Sequence, residues 1–319
     1  MSLNASIKAR VARLDARARP WAERSRVRAW LYEFLLFGLK QAWACLFGGT
    51  MLGLILATDL WWPAEAPLAR YDLLFLAALS AQALMLATRL ERPDEALVIL
   101  VFHAVGTAME VFKTAQGSWI YPDAGLLRIG GVPLFSGFMY AAIGSFIARS
   151  FRLMDFRFIG YRTPAVWALA LAAYVNFFTH HYVTDLRLVL FVLCFLLLGR
   201  TWIVFTIDRT PRRMPLLLGF ALVALFIWFA ENIGTFAGAW AYPGQQGGWR
   251  PVSAGKLGAW FLLVMLSFAL VTLVHRPRRW ALRPQEAPML LLPRLQRRPA
   301  PVLARGAPLS HRPAGIGGP

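Results

Sequence analysis

The sequence predicts an all-α polytopic membrane protein with about eight transmembrane helices, arranged as two parallel four-helix repeats. Three observations lead to this fold class. First, 58% of the 319 residues are hydrophobic, whereas soluble domains average about 45–50% apolar residues. Second, eight apolar stretches approach the roughly 20 residues that a membrane-spanning helix needs. Third, one motif of five fixed residue types occurs twice, without a gap between its positions.

The predicted spans lie between two basic ends of the chain. Residues 1–30 form a basic arm that is too charged for a signal-peptide core, so we expect it to be retained in the cytoplasm. Residues 31–275 form the membrane domain. Residues 276–319, rich in Pro, Arg, Ala and Gly, are predicted to be a disordered basic cytoplasmic tail. The eight predicted spans are Gln41–Leu60, Tyr71–Thr88, Ala96–Lys113, Val132–Phe151, Pro164–Tyr182, Leu186–Ile207, Met214–Ile233 and Ser253–His275.

Basic residues in the short loops predict the orientation, because cytoplasmic loops carry an excess of Lys and Arg. With the N-terminus inside, the outer loops hold only Arg70, Arg128, Arg187 and Arg250. We therefore expect a multi-pass protein of the bacterial inner (cytoplasmic) membrane with both termini in the cytoplasm. A net charge of +18 distributed in this way does not indicate nucleic-acid binding. The inner loops hold Arg89, Arg92, Arg149, Arg152, Arg157, Arg162, Arg209, Arg212 and Arg213.

The repeated motif reads E-x6-G-x-W-x-Y-P. Its first copy runs from Glu110 to Pro122, and its second copy, 121 residues later, runs from Glu231 to Pro243. Four predicted spans separate the copies, so both copies have the same orientation in the membrane. The sequence therefore predicts two parallel repeats, at about residues 41–152 and 163–275, related by an axis along the membrane normal.

The two motif glutamates are the main candidates for chemistry. An ionisable group inside a span costs a few kcal/mol unless it is paired or faces a polar cavity. Glu110 and Glu231 at matched positions therefore indicate one shared polar site, although pairing of Glu110 with Lys113 is an open alternative. The motif aromatics are either interfacial anchors or walls of that site. These aromatics are Trp119, Tyr121, Trp240 and Tyr242.

Other polar residues are predicted to approach the same outer end. His180 and His181 follow the fifth span, Asn232 follows Glu231, and His103 lies two helical turns before Glu110. Together these residues favour an acid–base site. No metal ion is expected, because the i, i+4 histidine pair of helical zinc enzymes is absent. The cysteines lie in separate apolar segments, which excludes a disulfide framework, and no cofactor is predicted.

Two families resemble this chain. The segment from His103 to Tyr140, with its G-S-W-I-Y-P and G-V-P-L-F-S-G-F-M-Y runs, and the later N-F-F-T-H-H run resemble domain-of-unknown-function family 817 over about residues 31–275. That resemblance implies no activity. The nine-residue spacing from each motif glutamate to its Trp, and Val132-Pro133-Leu134, resemble integral-membrane lycopene cyclases with tandem repeats. Phe135 and Ser136 replace the Glu-Glu pair of those cyclases, so this resemblance implies a shared architecture rather than cyclase activity.

Two functions remain open for the predicted site, besides a non-catalytic membrane scaffold, for which the sequence offers no positive mark. In the first, a membrane-embedded enzyme acts on a lipid or isoprenoid-like substrate, with Glu110 and Glu231 as acid and base and His180 or His181 as partner. Its substrate would contact the motif aromatics, whose faces can stabilise a developing cation, together with Asn232 and His103. In the second, a transporter or permease binds a proton or cation between the repeats. Concentration of the polar residues at one end favours the enzyme. The sequence predicts the lipid bilayer as partner and leaves the oligomeric state open.

Overall fold

A computed structural model describes residues 3–63, 65–245 and 247–279, and the predicted tail lies outside these residues from residue 280 onwards. The described chain is mostly helical, and the basic N-terminal arm itself contains a helix. The α-helices are α1 Leu3–Ala22, α2 Arg26–Ala44, α3 Leu46–Trp61, α4 Arg70–Ala87, α5 Pro93–Ala115, α6 Phe135–Met154, α7 Thr163–Thr179, α8 Arg187–Leu198, α9 Leu216–Phe236 and α10 Ala254–Val271.

Several of these helices have the length and composition of membrane spans. Helices α4, α5, α9 and α10 each pass that test. Helices α2 and α3 pass it together, although the chain bends by 69° between them, and α7 and α8 are shorter apolar helices. The described residues thus contain four or five candidate spans, where eight were expected.

Short strands accompany the helices, which an all-α prediction did not include. Strands β1 Arg128–Ile129 and β2 Val132–Pro133 form a small antiparallel pair. Strands β3 Arg157–Ile159, β4 Trp202–Thr206, β5 Pro211–Pro215 and β6 Arg278–Arg279 form a sheet in the order β5-β4-β3-β6. We call the end of the molecule that carries this sheet the sheet end.

The sixth predicted span, Leu186–Ile207, is wrong beyond Leu198. Helix α8 ends there, and the following residues form the antiparallel hairpin of β4 and β5. The run Trp-Ile-Val-Phe-Thr in β4 consists of aromatic and β-branched residues, which favour strands. Hydropathy alone could not separate this strand from the helix before it, because both are apolar.

Helices α5 and α6 pack against each other through glycines. A Cβ atom added to Gly106 would come within 2.7 Å of the Tyr140 side chain, and one added to Gly144 would come within 2.8 Å of Phe102. Small residues of this kind let two helix backbones approach closely. The contact holds Tyr140 of α6 against α5, near the start of α6 and the end of α5.

The side chain of Asp72 fixes the loop between α5 and α6. The Asp72 carboxylate, buried at the start of α4, accepts hydrogen bonds from the backbone N–H groups of Leu126 and Leu127, both at 2.8 Å. A smaller apolar cluster around Tyr71, Trp119 and Phe135 packs beneath this loop. We call this end, where α5 and α9 end and α6 and α10 begin, the motif end.

Candidate functional site at the motif end

Helices α5 and α9 end in the same way. In α5 the N–H of Ser118 bonds to the carbonyl oxygen of Lys113 at 3.0 Å, and Gly117 N–H bonds to Thr114 at 3.0 Å. This is a Schellman motif, which needs a left-handed residue after the helix. Gly117 supplies it with φ +67°, and the matching Gly238 supplies it for α9 with φ +63°. Each glycine reverses the chain, so that the motif aromatics fold back towards the glutamate.

Glu110 is buried and accepts three hydrogen bonds from aromatic side chains. Trp119 Nε1 and Tyr121 Oη donate to Oε2 at 2.7 and 2.6 Å, and Tyr140 Oη donates to Oε1 at 2.7 Å. Only 3% of the residue is exposed. All three donors are neutral, so they solvate the carboxylate without cancelling its charge.

Glu231 lies in a similar environment, with two aromatic donors where Glu110 has three. Tyr242 Oη donates to Oε1, and Trp260 Nε1 donates to Oε2 at 2.8 Å. The motif residue Trp240 packs instead against Gly234, where an added Cβ would lie 2.3 Å from its ring. An indole from α10 therefore replaces the indole that the motif supplies to Glu110.

The two glutamate environments touch through their rings. Trp119, bonded to Glu110, lies 6.0 Å from Tyr242 in an edge-to-face contact between ring centroids. Tyr140 and Trp260 are also 6.0 Å apart. Each ring pair joins a donor of Glu110 to a donor of Glu231, so the structure brings the two sequence-predicted glutamates into one cluster. We call Glu110, Glu231 and these donors the glutamate cluster.

A backbone bridge joins the two motif turns. Ile120 N–H bonds to the Ala241 carbonyl oxygen at 2.9 Å, and Ala241 N–H bonds to the Ile120 carbonyl oxygen at 3.0 Å. These residues occupy the same position in the two motif copies. The bridge fixes the spacing of the aromatic residues on either side of it.

Lys256, in the first turn of α10, supplies a cation to the cluster. Its Nζ lies 4.9 Å from the centroid of the Trp119 ring and 4.2 Å from that of Tyr242, in cation–π contacts. It interacts electrostatically with both Glu110 and Glu231. The cluster thus holds two carboxyl groups and one ammonium group.

The two predicted histidines contact a different residue, Lys113 of α5. Lys113 Nζ lies 2.7 Å from His181 Nε2 and 3.3 Å from His180 Nε2, and 4.2 Å from the centroid of Phe177. In the structure Lys113 therefore pairs with the histidines, which answers the open alternative of a Glu110–Lys113 pair. Partial desolvation, followed by the nearby charges of Lys113 and His180, lowers the pKa of His181 below its ordinary value.

The remaining predicted site residues lie apart from the glutamate donors. The His103 ring stacks near Phe138, with centroids 4.5 Å apart, deeper along α5. Asn232 holds the chain before α10, because its Oδ1 accepts a bond from Val252 N–H at 2.9 Å. Among the described residues, no three His, Cys, Asp or Glu side chains are placed to hold a metal ion.

The sequence did not single out Tyr140 or Trp260 as site residues. Both lie outside the motif and reach the glutamates only through the packing of α6 and α10. Tyr140 lies 21 residues after Trp119, and Trp260 lies 20 residues after Trp240. This near-match in spacing is the sequence signal that could have indicated them. Between them a crevice of about 20 Å³, lined also by Phe102, Gly106 and Ser267, adjoins the cluster.

A second group of buried charges, also missed by the sequence analysis, lies at the sheet end. Glu91 Oε1 lies 3.6 Å from Arg149 Nη2, and both side chains are fully buried. Gln82 Nε2 donates to Glu91 Oε2 at 2.6 Å. Glu95 is paired with Arg152, with 3.1 Å between Oε1 and Nε. We call these residues the ion-pair cluster.

Comparison with known proteins gives one family and one curated relative. Residues 33–268 match the family described as "Protein of unknown function (DUF817)". The uncharacterized protein YoaT of Bacillus subtilis (strain 168) is 42% identical over 241 residues, which cover 75% of this chain and 90% of YoaT. No solved structure matches the chain significantly.

Proposed function

Since this chain belongs to the DUF817 family, whose description assigns no activity, we propose a function from its own site. The protein is a membrane-embedded enzyme that acts on a lipid or isoprenoid-like substrate by acid–base chemistry. The observation that carries this proposal is the glutamate cluster. Each of its two buried carboxyl groups has its own aromatic donors, the rings of these donors contact each other, and one lysine lies against them.

The surroundings of the two glutamates support different roles. Glu110 accepts three hydrogen bonds and Glu231 accepts two, so we assign the base to Glu110 and the acid to Glu231. Two carboxyl groups in unequal environments are a recurring basis for acid–base chemistry. With Lys256 charged, one proton on the pair makes the cluster neutral, and that proton is the one available for transfer.

The walls of the cluster suit a reaction that passes through a cation. Trp119 and Tyr242 already bind the ammonium group of Lys256 against their ring faces. Indole and phenol faces attract a cation more strongly when water is excluded. His180 and His181, next to Lys113, complete the polar groups at this end. A hydrocarbon chain would reach the cluster beside Tyr140 and Trp260, where rearrangement of these two side chains widens the apolar crevice.

We also propose the membrane arrangement as eight helices in two parallel repeats, α3 to α6 and α7 to α10. Helices α5 and α9 both end five residues after their motif glutamate. The bridge between Ile120 and Ala241 joins equivalent positions, as expected close to a twofold axis. The Arg-rich loops support cytoplasmic termini and a motif end on the outer side of the inner membrane.

Lipid analysis tests the enzymatic proposal. Lipid and isoprenoid extracts are compared for a deletion strain that carries the wild type, Glu110→Gln, Glu231→Gln or no gene. Both variants should lack the product formed by the wild type, because each removes one proton-transfer group. Glu65→Gln, at an exposed loop position, is the matched control and should give the wild-type profile. Identical wild-type and deletion profiles would contradict the enzymatic proposal.

Cysteine labelling tests the orientation. In a background without Cys45 and Cys194, single cysteines at Gln116 and Gln245 should react with an impermeant reagent from outside the cell. Reaction only after the cytoplasmic side is opened would reverse the proposed topology.

A transporter is the second candidate, and the size of the crevice favours it. About 20 Å³ is close to the space of one water molecule, which suits a proton or small cation without rearrangement of Tyr140 or Trp260. Proteoliposomes containing the wild type would then show a proton or cation flux that Glu231→Gln abolishes. Absence of this flux, together with a Glu110-dependent lipid product, would leave the enzyme.

A further inference from the structure

Lys113 is a buried ammonium group whose described partners are all uncharged groups or rings. Only 4% of the residue is exposed. Its Nζ contacts the Nε2 atoms of His181 and His180 and the ring of Phe177. A charged lysine donates hydrogen bonds and cannot accept them, so both Nε2 atoms must accept, and both imidazoles must carry their proton on Nδ1.

The two histidines differ at that second nitrogen. His180 Nδ1 lies 3.0 Å from the carbonyl oxygen of Asn176, in the last turn of α7. A carbonyl oxygen accepts the Nδ1 hydrogen bond but does not take the proton. His181 is exposed, and among its described contacts Nδ1 has no protein hydrogen-bond partner. Of the two rings, only that of His181 can exchange protons with water at Nδ1 while it contacts Lys113 at Nε2.

Helix α5 connects this group to the glutamate cluster. Lys113 follows Glu110 by three residues on α5, so the two side chains lie on one face of that helix. Phe177, which contacts Lys113 Nζ, packs against the apolar cluster that contains Trp119 and Tyr121, two donors of Glu110. The charge on Lys113 therefore lies one helical turn from the Glu110 carboxyl group, and the protonation of the two groups is coupled. The other charged groups near Lys113 are Lys256, Arg187 and Asp185.

We propose that Lys113 and His181 form the proton-exchange site between the glutamate cluster and the outer aqueous phase. In the outward direction, Lys113 Nζ gives a proton to His181 Nε2, and the Nδ1–H proton of His181 passes to water or a buffer base. In the first step an N–H bond of Lys113 breaks and the Nε2–H bond of His181 forms. In the second step the Nδ1–H bond of His181 breaks, and the proton forms a bond to water or to the buffer base. Lys113 is left as a neutral amine, and the exposed His181 ring, now protonated at Nε2, regains its Nδ1–H form by proton exchange with water. A proton released by the glutamate cluster restores its charge. The proposal rests on the acid–base role proposed for the glutamates.

Infrared spectroscopy after a pH jump tests this exchange. The full chain is reconstituted in nanodiscs, and the carbonyl stretching band of the protonated glutamate is assigned by its loss in Glu110→Gln or Glu231→Gln. We expect His181→Gln to slow the response of this band by about 10²-fold, the scale of a lost general acid or base. His180→Gln should slow it far less, and Tyr182→Phe, at an exposed neighbour, should leave it unchanged.

Chemical rescue separates a proton carrier from a structural residue. Free imidazole added to His181→Ala should restore most of the lost rate, because the small molecule can carry the proton through the vacated space. Equal slowing in the His180 and His181 variants, absence of rescue, or absence of a titrating glutamate band would overturn the proposal.

The experiment also distinguishes this inference from the enzymatic proposal. A glutamate band whose rate depends on His181, with an unchanged lipid profile in Glu110→Gln, would retain the exchange site and overturn the enzyme. A lipid product that depends on Glu110, with an infrared response whose rate is the same in His181→Gln and the wild type, would retain the enzyme and overturn the exchange site.

Discussion

The protein buries two pairs of glutamates at its two ends and stabilises them by different means. At the sheet end, Glu91 and Glu95 each face an arginine, at 3.6 and 3.1 Å. At the motif end, Glu110 and Glu231 are surrounded by neutral phenol and indole donors, with one lysine between them.

This difference separates a structural carboxylate from a reactive one. Arginine does not give up its proton in proteins, so an arginine partner balances the charge of a buried carboxylate and offers it no proton. Neutral donors stabilise a carboxylate through hydrogen bonds but do not cancel its negative charge. Such a carboxylate can therefore take up a proton without losing an ion pair. The same residue type therefore fixes packing at one end and can exchange protons at the other.

The largest expected effect breaks the ion-pair cluster. Arg149→Met leaves Glu91 as an uncompensated buried charge, which should lower the free energy of unfolding by about 3–5 kcal/mol. The change is measured by chemical denaturation in detergent micelles. The double variant Glu91→Gln/Arg149→Met should recover most of this loss. A single variant as stable as the wild type would show that the buried charge is solvated in another way.

A smaller effect is expected from one donor of the glutamate cluster. Tyr140→Phe removes one hydrogen bond to a charged acceptor, which is worth about 1.5–3 kcal/mol. Denaturation in micelles measures this loss. Tyr174→Phe, whose hydroxyl makes no described hydrogen bond, is the matched control. An equal loss in both variants would contradict a specific role for the Tyr140 hydroxyl.

Lys256→Met should have a smaller effect on stability again. The variant keeps the apolar stem and loses two cation–π contacts, worth about 0.5–2 kcal/mol. The loss should shrink in a Glu231→Gln background, because the lysine then has one carboxylate fewer to balance. A double-mutant cycle on thermal unfolding measures this coupling. Additive effects would show that Lys256 and Glu231 act independently.

The smallest expected effect is a pH dependence at His181. Its pKa is lowered in the folded chain from an ordinary value of 6.5, through desolvation and the charges of Lys113 and His180. The unfolded chain therefore binds a proton first as pH falls, so stability is complete above about pH 6.5 and declines below it. Thermal unfolding should follow this sign, and His181→Gln should flatten the profile between that pH and the lowered pKa. If the decline of the unfolding temperature with falling pH were the same in His181→Gln and the wild type, His181 would not be its cause.

The features of the two ends that depend on a local sequence pattern could be predicted. The repeated motif indicated both glutamates, and the apolar stretches indicated a membrane protein. The runs between His103 and Tyr140 indicated the family that was then confirmed. Residues that act through helix packing were missed, including Tyr140 and Trp260. Arg149 was counted among the basic residues of the inner loops and Glu91 was not singled out, because only the packing of the chain brings the two together. The strand β4 was missed because its residues are as apolar as a helix.

The bridge between Ile120 and Ala241 has a consequence for how such a chain can arise. Each residue is both donor and acceptor to its counterpart at the same motif position. A segment that bonds to its own copy needs no second, complementary sequence. A polypeptide of half this length could therefore make the same contact with an identical molecule, and joining two such molecules end to end would preserve it. Later substitutions could then change the partners of one glutamate, as Trp260 differs from Trp119, without breaking the join.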